Sequence, residues 1–300
     1  MRPHFFHLLL ALVFMLVTPL SGWSAAAGPP SKNKEATQDP AILLVTFGTS
    51  VPRAQAAFAN IEQQVKKTYP NSEIRWAYTS QIIRKKLAKE GKMLDSPEVA
   101  LAKLMDEGFT RVVLQSLHMI PGQEFHEIYT NGKLFGQMAG GFTKVTVASP
   151  LLSSDKAMEK TLQTVAATIV PKDRKASEAV VLMGHGTHHP SDAIYSALML
   201  KAQKMDANMF VATVAGYPSF DEVKEALVKK GIKKAYLIPL MTVAGDHAMN
   251  DMAGDEPDSW KSQLTTAGIE SVPVLKGLAE FDAIVDIWLE NLKVGMSQVH

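Results

Sequence analysis

Two histidines in the second half of the chain, His185 and His247, each stand just past an apolar run and beside a glycine. Ala179-Val180-Val181-Leu182-Met183 leads into Gly184-His185-Gly186, and Ala235-Tyr236-Leu237-Ile238-Pro239-Leu240 leads towards Gly245-Asp246-His247. Runs of this length read as buried strands. In a parallel sheet both imidazoles would share the edge formed by the strands' carboxyl ends, where α/β sheets hold ligands. Imidazole nitrogen suits a late first-row metal. A lone histidine would more simply satisfy a nearby backbone group. Two at equivalent strand ends favour a metal-handling pair.

The other histidines are weaker candidates. His188-His189-Pro190 reads as a solvated turn before a helix. His118 ends an apolar run in the first half, and structural and functional roles are evenly balanced for it. His126 follows Gly122 on a helical stretch, where a surface role is the default. His4 and His7 leave with the N-terminal signal and His300 belongs to the tail. Cysteine is absent, which removes thiolate metal sites and thiol nucleophiles. Gly48-Thr49-Ser50 and Gly184-His185-Gly186-Thr187 are turns suited to anions before helices. Neither completes a Gly-x-x-x-x-Gly-Lys-Ser/Thr phosphate loop or a Gly-x-Gly-x-x-Gly dinucleotide turn, and no Gly-x-Ser-x-Gly elbow occurs.

Strands alternating with helices must position these groups, which predicts parallel sheets flanked by helices. The order repeats. Ala41-Ile42-Leu43-Leu44-Val45-Thr46-Phe47-Gly48 is echoed by Ala179-Val180-Val181-Leu182-Met183-Gly184-His185-Gly186, so Phe47 and His185 occupy matched strand ends. The segment from Val112 overlies that from Ala235, which sets Glu124 opposite His247 and His118 opposite Met241. Arg75 to Ser80 is matched with Val211 to Gly216. Three matches in the same order predict a duplicated α/β protein of two similar lobes, residues 41–150 and 151–300. The second lobe includes a closing helix over Leu278 to Leu292, and a cleft lies between the lobes.

Ahead of the lobes, Arg2, the apolar stretch Leu8 to Val17 and Ser24-Ala25-Ala26-Ala27 read as a signal peptide over residues 1–27. A polar, Pro-containing leader over 28–40 follows. Cleavage would leave no membrane span and place the protein in the periplasm. The formal net charge is +1, and no basic stripe with interleaved aromatics argues for nucleic acid.

Leu44-Val45-Thr46-Phe47-Gly48-Thr49-Ser50, Gln115-Ser116-Leu117-His118-Met119-Ile120-Pro121-Gly122, Gly184-His185-Gly186-Thr187 and Pro239-Leu240-Met241-Thr242-Val243-Ala244-Gly245-Asp246-His247 together resemble the anaerobic-pathway cobalt chelatases of cobalamin biosynthesis, which are related to the ferrochelatases. The resemblance runs from about Ile42 to the C-terminus. It implies a two-lobed fold and an enzyme that inserts Co2+ into sirohydrochlorin without ATP. His185 would then be proton acceptor and metal ligand, and His247 the partner ligand. Phe47, Gly48, Thr49, Ser50, His118 and Glu124 would shape the substrate site, with Arg53 and Arg84 pairing substrate carboxylates. Fe2+ is an alternative metal for an exported protein.

One position departs from the family. Ala215, before Gly216-Tyr217-Pro218, stands where the family carries glutamate. It is either a natural difference or an introduced substitution, and the intact neighbours favour the second. A second class of function stays open, a periplasmic tetrapyrrole or metal carrier on the same fold. His126 could then be an axial ligand to a haem at a subunit interface of a homo-oligomer, against its default as a solvent-facing residue.

Overall fold

The structure, a computed structural model, describes residues 39–299. The expected signal peptide, nearly all of the leader, His4, His7 and His300 lie outside the described residues. No helix among the described residues is long and apolar enough to cross a membrane.

Four parallel strands form the first sheet: β1 (Ala41–Thr46), β2 (Ile74–Tyr78), β3 (Arg111–Ser116) and β4 (Lys144–Ala148), in the order β2-β1-β3-β4. The second sheet repeats the plan with β5 (Ala179–Gly184), β6 (Met209–Thr213), β7 (Lys234–Pro239) and β8 (Glu270–Pro273), in the order β6-β5-β7-β8. Around the first sheet run α1 (Gln55–Thr68), α2 (Gln81–Lys89), α3 (Pro97–Asp106) and α4 (Gln123–Gln137). α5 (Asp155–Thr168) links the halves, and α6 (Ala193–Met205), α7 (Phe220–Lys229), α8 (Trp260–Thr266) and α9 (Asp282–Val299) follow. Serine sets several helix starts. The side chains of Ser80, Ser96, Ser154, Ser219 and Ser259 each accept from a backbone N–H of the first turn, satisfying a donor the helix leaves open.

The central strands are buried on both faces, as parallel sheets with helices on each side require. Alternation divides β1. Ala41, Leu43 and Val45 face Leu101, Leu104 and Ile128 of α3 and α4. Ile42 and Leu44 face the other way, into a core that also holds Val180 and Leu182 of β5. Both lobes therefore share one apolar interior. Each fully buried Leu or Ile there contributes about 1.5–3 kcal/mol through removal of apolar surface from water.

Strand register tests the repeat residue by residue. Ala41 pairs with Val112 as Ala179 pairs with Ala235, so that match holds. Ile42 pairs with Ile74, whereas Val180 pairs with Met209. Arg75 therefore corresponds to Phe210, and the expected match to Val211 is out by one residue. Only one identity, Ala77 of β2 with Ala212 of β6, marks the true register, too little to reveal the slip from sequence. Corrected, Ser80 is the counterpart of Ala215.

Chain order assigns the closing helix to the second lobe. Instead α9 packs on β3 and β4 of the first sheet and against α5. Its apolar stripe, with Ile284, Trp288 and Leu292, fills the shared interior. The helix starts at Asp282, because a short 3-10 turn over Leu278–Glu280 precedes it. Gly295 permits the contact: a Cβ there would lie 2.8 Å from Val113 Cγ1 and 3.4 Å from the Ala148 Cβ. Gly295→Val should lower the unfolding free energy by about 1–3 kcal/mol in urea titration, the usual cost of overpacking. Val294→Ala at the neighbouring exposed position should change it by less than about 0.5 kcal/mol. Equal midpoints for Gly295→Val and the parent would contradict close packing of α9 on β3.

Candidate active site

A cavity of about 460 Å³ lies between the lobes, where the central strands of both sheets end. The first lobe contributes the turn after β1 and the segment after β3. The second contributes the turns after β5, β6 and β7. This volume suits a small-molecule site.

His185 leaves the end of β5. The residue after it, Gly186, has φ +80, and a Cβ there would sit 2.6 Å from the backbone of Ala215 and Gly216. Only glycine lets the two turns touch. Gly48 repeats the feature in the first lobe with φ +97, its missing Cβ replaced by the ring of Tyr78. The Ala215 N–H donates to the His185 carbonyl at 2.9 Å, so position 215 lies directly beside the histidine.

His247 caps a π-helical turn over Ala248–Met252, a feature absent from the repeat pattern. Its ring meets that of His185 at a centroid distance of 4.7 Å and an interplanar angle of 80°. Two imidazoles binding one metal through nitrogens about 2.1 Å away would have centroids about 4.6–5.3 Å apart, for bond angles of about 90–109°. The pair already has that spacing.

The hydrogen bonds settle which nitrogen is free. His185 Nδ1 lies 2.8 Å from the Gly186 carbonyl oxygen, which only accepts, so Nδ1 carries the proton. His247 Nδ1 lies 2.5 Å from Asp251 Oδ2 and donates to it. In the neutral form of each ring the lone pair therefore falls on Nε2. A metal-ligating histidine is ordinarily oriented in this way by its other nitrogen. Asp251 was invisible to motif reading, and its only signal is the i, i+4 spacing from His247 on a turn of helix.

Two further residues brace the His185 turn. Asp192 Oδ1 accepts from the Thr187 N–H at 3.0 Å, and Oδ2 accepts from the Tyr217 N–H at 2.8 Å. One carboxylate thus ties the turn after β5 to the turn carrying Ala215. Tyr195 lies buried beneath Gly184, whose Cβ would fall 2.5 Å from its ring. Burial raises its hydroxyl well above the ordinary phenol value, partly offset by the amides of Gly186 and His185.

Phe47, Gly48, Thr49, Ser50, His118, Glu124 and Ala215 all line the cavity. The Thr49 hydroxyl accepts from the Val51 N–H at 3.1 Å, so that amide of the turn is already engaged. His188, read from sequence as a solvated turn residue, is exposed but also forms part of the wall. Arg53 and Arg84 are not in it. Arg53 donates to the Leu275 carbonyl at 3.1 Å, and Arg84 to the carbonyls of Tyr78 and Thr79. Guanidinium groups near strand ends are drawn to backbone acceptors that the ladder leaves open. His126 is exposed on α4 outside the cavity, its ring 5.0 Å from that of His189. No group of three or more His, Cys, Asp or Glu side chains could hold a metal ion among the described residues. With alanine at 215, the cluster stops at two imidazoles.

His118 sits across the cavity, its ring half-buried and its Nε2 sealed, with no hydrogen-bond partner among the described residues. Nδ1 lies 3.0 Å from the Ser116 hydroxyl. Burial lowers this imidazole to about 4, against a smaller upward pull from Glu124. An unfolded histidine titrates near 6.5, so between these values the unfolded chain binds the extra proton. The contribution to stability is full above about pH 6.5 and is lost as pH falls towards 4, to a total of about 3 kcal/mol. Urea unfolding should show His118→Gln losing about 3 kcal/mol less than the parent between pH 7 and pH 4. Parallel losses in the two proteins would contradict a buried neutral His118.

A profile of the family described as Cobalt chelatase (CbiK) matches residues 40–297. The sirohydrochlorin cobaltochelatase CbiKC of Nitratidesulfovibrio vulgaris Hildenborough is 39% identical over 256 residues, covering 85% of this chain and 90% of its own. The sirohydrochlorin cobaltochelatase of Salmonella typhimurium is 38% identical over 256 residues, covering 84% of this chain and 94% of its own. Among solved structures, SirB from Bacillus subtilis with Fe3+ superposes with a TM-score of 0.59 at 14% identity, over 87% of this chain and 96% of that one. That likeness concerns the fold alone. Family and relatives both extend over nearly all of the two lobes, and the chain belongs to the cobalt chelatase (CbiK) family.

Proposed function

We propose that this chain inserts Co2+ into sirohydrochlorin, with His185 and His247 handling the metal and the departing protons. The observation that carries the reading is a pair of adjacent imidazoles, each anchored through Nδ1, lining one cavity in a member of the cobalt chelatase family. Relatives named for this reaction align over most of the chain.

The reaction replaces two pyrrole N–H bonds by metal–nitrogen bonds and releases two protons. No electron changes hands, so it needs no redox partner. The metal is a substrate, and the site must hold it only until the ring takes it. Neutral imidazole suits both tasks. Nε2 of His185 or His247 can bind Co2+ or accept a proton, while Nδ1 stays anchored to Gly186 or Asp251. Asp251 stabilises the imidazolium that forms if His247 takes a proton. The cavity walls come from opposite lobes, so a flat macrocycle can enter between them with one face towards the histidines. Glu124 brings a carboxylate from the first lobe.

Imidazole donors do not favour Co2+ over the metals that follow it in the affinity series, so supply must decide the ion. Fe2+ is therefore the second metal to test. A carrier on the same fold would release at most one metallated ring per chain, whereas an enzyme turns over.

The test is multiple-turnover metallation of sirohydrochlorin, followed by absorbance with Co2+ and with Fe2+. His185→Ala and His247→Ala should each lower kcat/KM by about 100-fold or more, the range for loss of a general base. Undiminished rates in both would reject the assignment. Ala215→Glu adds a carboxylate beside His185. Even outer-shell partners change metal affinity 10–100-fold, so Co2+ affinity should rise by about tenfold or more. Unchanged Co2+ affinity would show that position 215 does not face the ion.

A further inference from the structure

The cavity wall contains no lysine or arginine, yet it includes Glu124 and Asp246. The substrate proposed above carries several carboxylates on the ring periphery. A wall without cations cannot neutralise them. The charge must come from just outside it.

One element next to the cavity has that charge. α2, sequence Gln-Ile-Ile-Arg-Lys-Lys-Leu-Ala-Lys, holds four basic residues and no acidic one in nine positions. The whole chain has a net charge of only +1, so the concentration is local. Two contacts place the helix at the cavity mouth. Ser80, its N-cap, donates its backbone N–H to the Phe47 carbonyl at 3.2 Å, and Phe47 and Ile83 both line the cavity. Arg84 turns inward to the Tyr78 and Thr79 carbonyls and is used up there. Lys85, Lys86 and Lys89 remain exposed, with no carboxylate partner among the described residues.

Helical spacing selects among the three. Lys86 follows Ile83 by one turn on the same side, and Lys89 follows Lys86 by another. Lys85 lies farther round the helix. Ile82 is 78% exposed and lies between the directions of Lys86 and Lys89. A flank that alternates ammonium and bare apolar surface suits a ligand with an apolar ring and anionic edges.

We propose that Lys86 and Lys89 form a cationic rim at the cavity mouth that binds the peripheral carboxylates of the tetrapyrrole, with Ile82 and Ile83 packing beneath its edge. This rests on the function proposed above and names the substrate-recognition surface of that site. The rim acts on binding and not on the metal. Exposed ion pairs are weak singly and screened by salt, so the effect is modest and ionic-strength dependent.

Equilibrium binding separates this from failure of the chelatase reading, because it needs no turnover. Sirohydrochlorin alone, without metal, is titrated into the full chain and followed by absorbance and tryptophan quenching. Lys86→Gln/Lys89→Gln should weaken binding about fivefold to tenfold at low salt and flatten its salt dependence. Lys86→Glu/Lys89→Glu should weaken it further. In turnover the double glutamine variant should raise KM at constant kcat, and its Co2+ affinity should match the parent. Lys229→Gln, on the far helix α7, should change none of these. Far-UV circular dichroism and the thermal midpoint check that each variant folds. Sirohydrochlorin affinity within twofold of the parent, with the same salt slope, would overturn the rim. So would loss of binding to anionic phospholipid vesicles with tetrapyrrole affinity intact, since the helix would then serve a membrane surface.

Discussion

Gly186 has no room for a side chain, and the geometry of the site follows from that. The turn after β5 must come within contact of the turn after β6, and any Cβ would collide with the backbone of Ala215 and Gly216. The left-handed conformation at Gly186 brings the two together and sets His185 against position 215. The strand order β6-β5-β7 then places His247 on the other side of His185. Three strand ends converge because their strands are neighbours in one parallel sheet. The Asp192 carboxylate holds the first two turns together, and Tyr195 supports them from below.

The first lobe has the same frame with other chemistry. Gly48 is also left-handed, and Phe47 takes the place of His185. The corrected register sets Ser80 opposite Ala215, and Glu124 matches His247. A duplicated scaffold has thus kept its backbone devices and changed its side chains. The second lobe presents nitrogen donors, while the first presents an aromatic ring, a sealed imidazole and one carboxylate. The shared interior explains why the lobes do not act as independent domains. α9 leaves the second half of the chain and packs on the first sheet, and Thr242 Oγ1 donates to the Leu117 carbonyl at 2.6 Å beside the cavity.

Much of this was legible in the sequence because it rests on local pattern. Buried parallel strands are continuous apolar runs, and those runs ended in Gly-Thr turns at Gly48 and Gly186. That His185 and His247 come together, their rings 4.7 Å apart, was legible because both follow strands of one parallel sheet. What the sequence concealed depends on three-dimensional pairing. Asp251 acts through one hydrogen bond and Asp192 through two, and none of these follows a motif. Arg53 and Arg84 have the right charge near the right turns, but backbone carbonyls capture them. The destination of α9 depends on which apolar surface lies nearer, and chain order does not encode that. The slip between β2 and β6 escaped because the two strands repeat only a single residue, Ala77 with Ala212.

A site that passes its metal on must not hold it too well. On the function proposed above, two neutral imidazoles would supply donors without charge, so their hold on Co2+ would be moderate. A carboxylate at position 215 would add an anionic ligand and strengthen the first grip, at some cost to release. With alanine at 215 the present chain would stand at the weak end of that range, and Glu124, contributed by the first lobe, is a carboxylate in the same cavity lining. Binding energy for the substrate must then come from elsewhere, from apolar walls against the macrocycle and from positive charge where its carboxylates emerge. The division is physically sensible. Charge at the proposed rim would attract and orient a polyanionic ring, while an uncharged pair at the centre would let the metal move from nitrogen to nitrogen without a large electrostatic penalty.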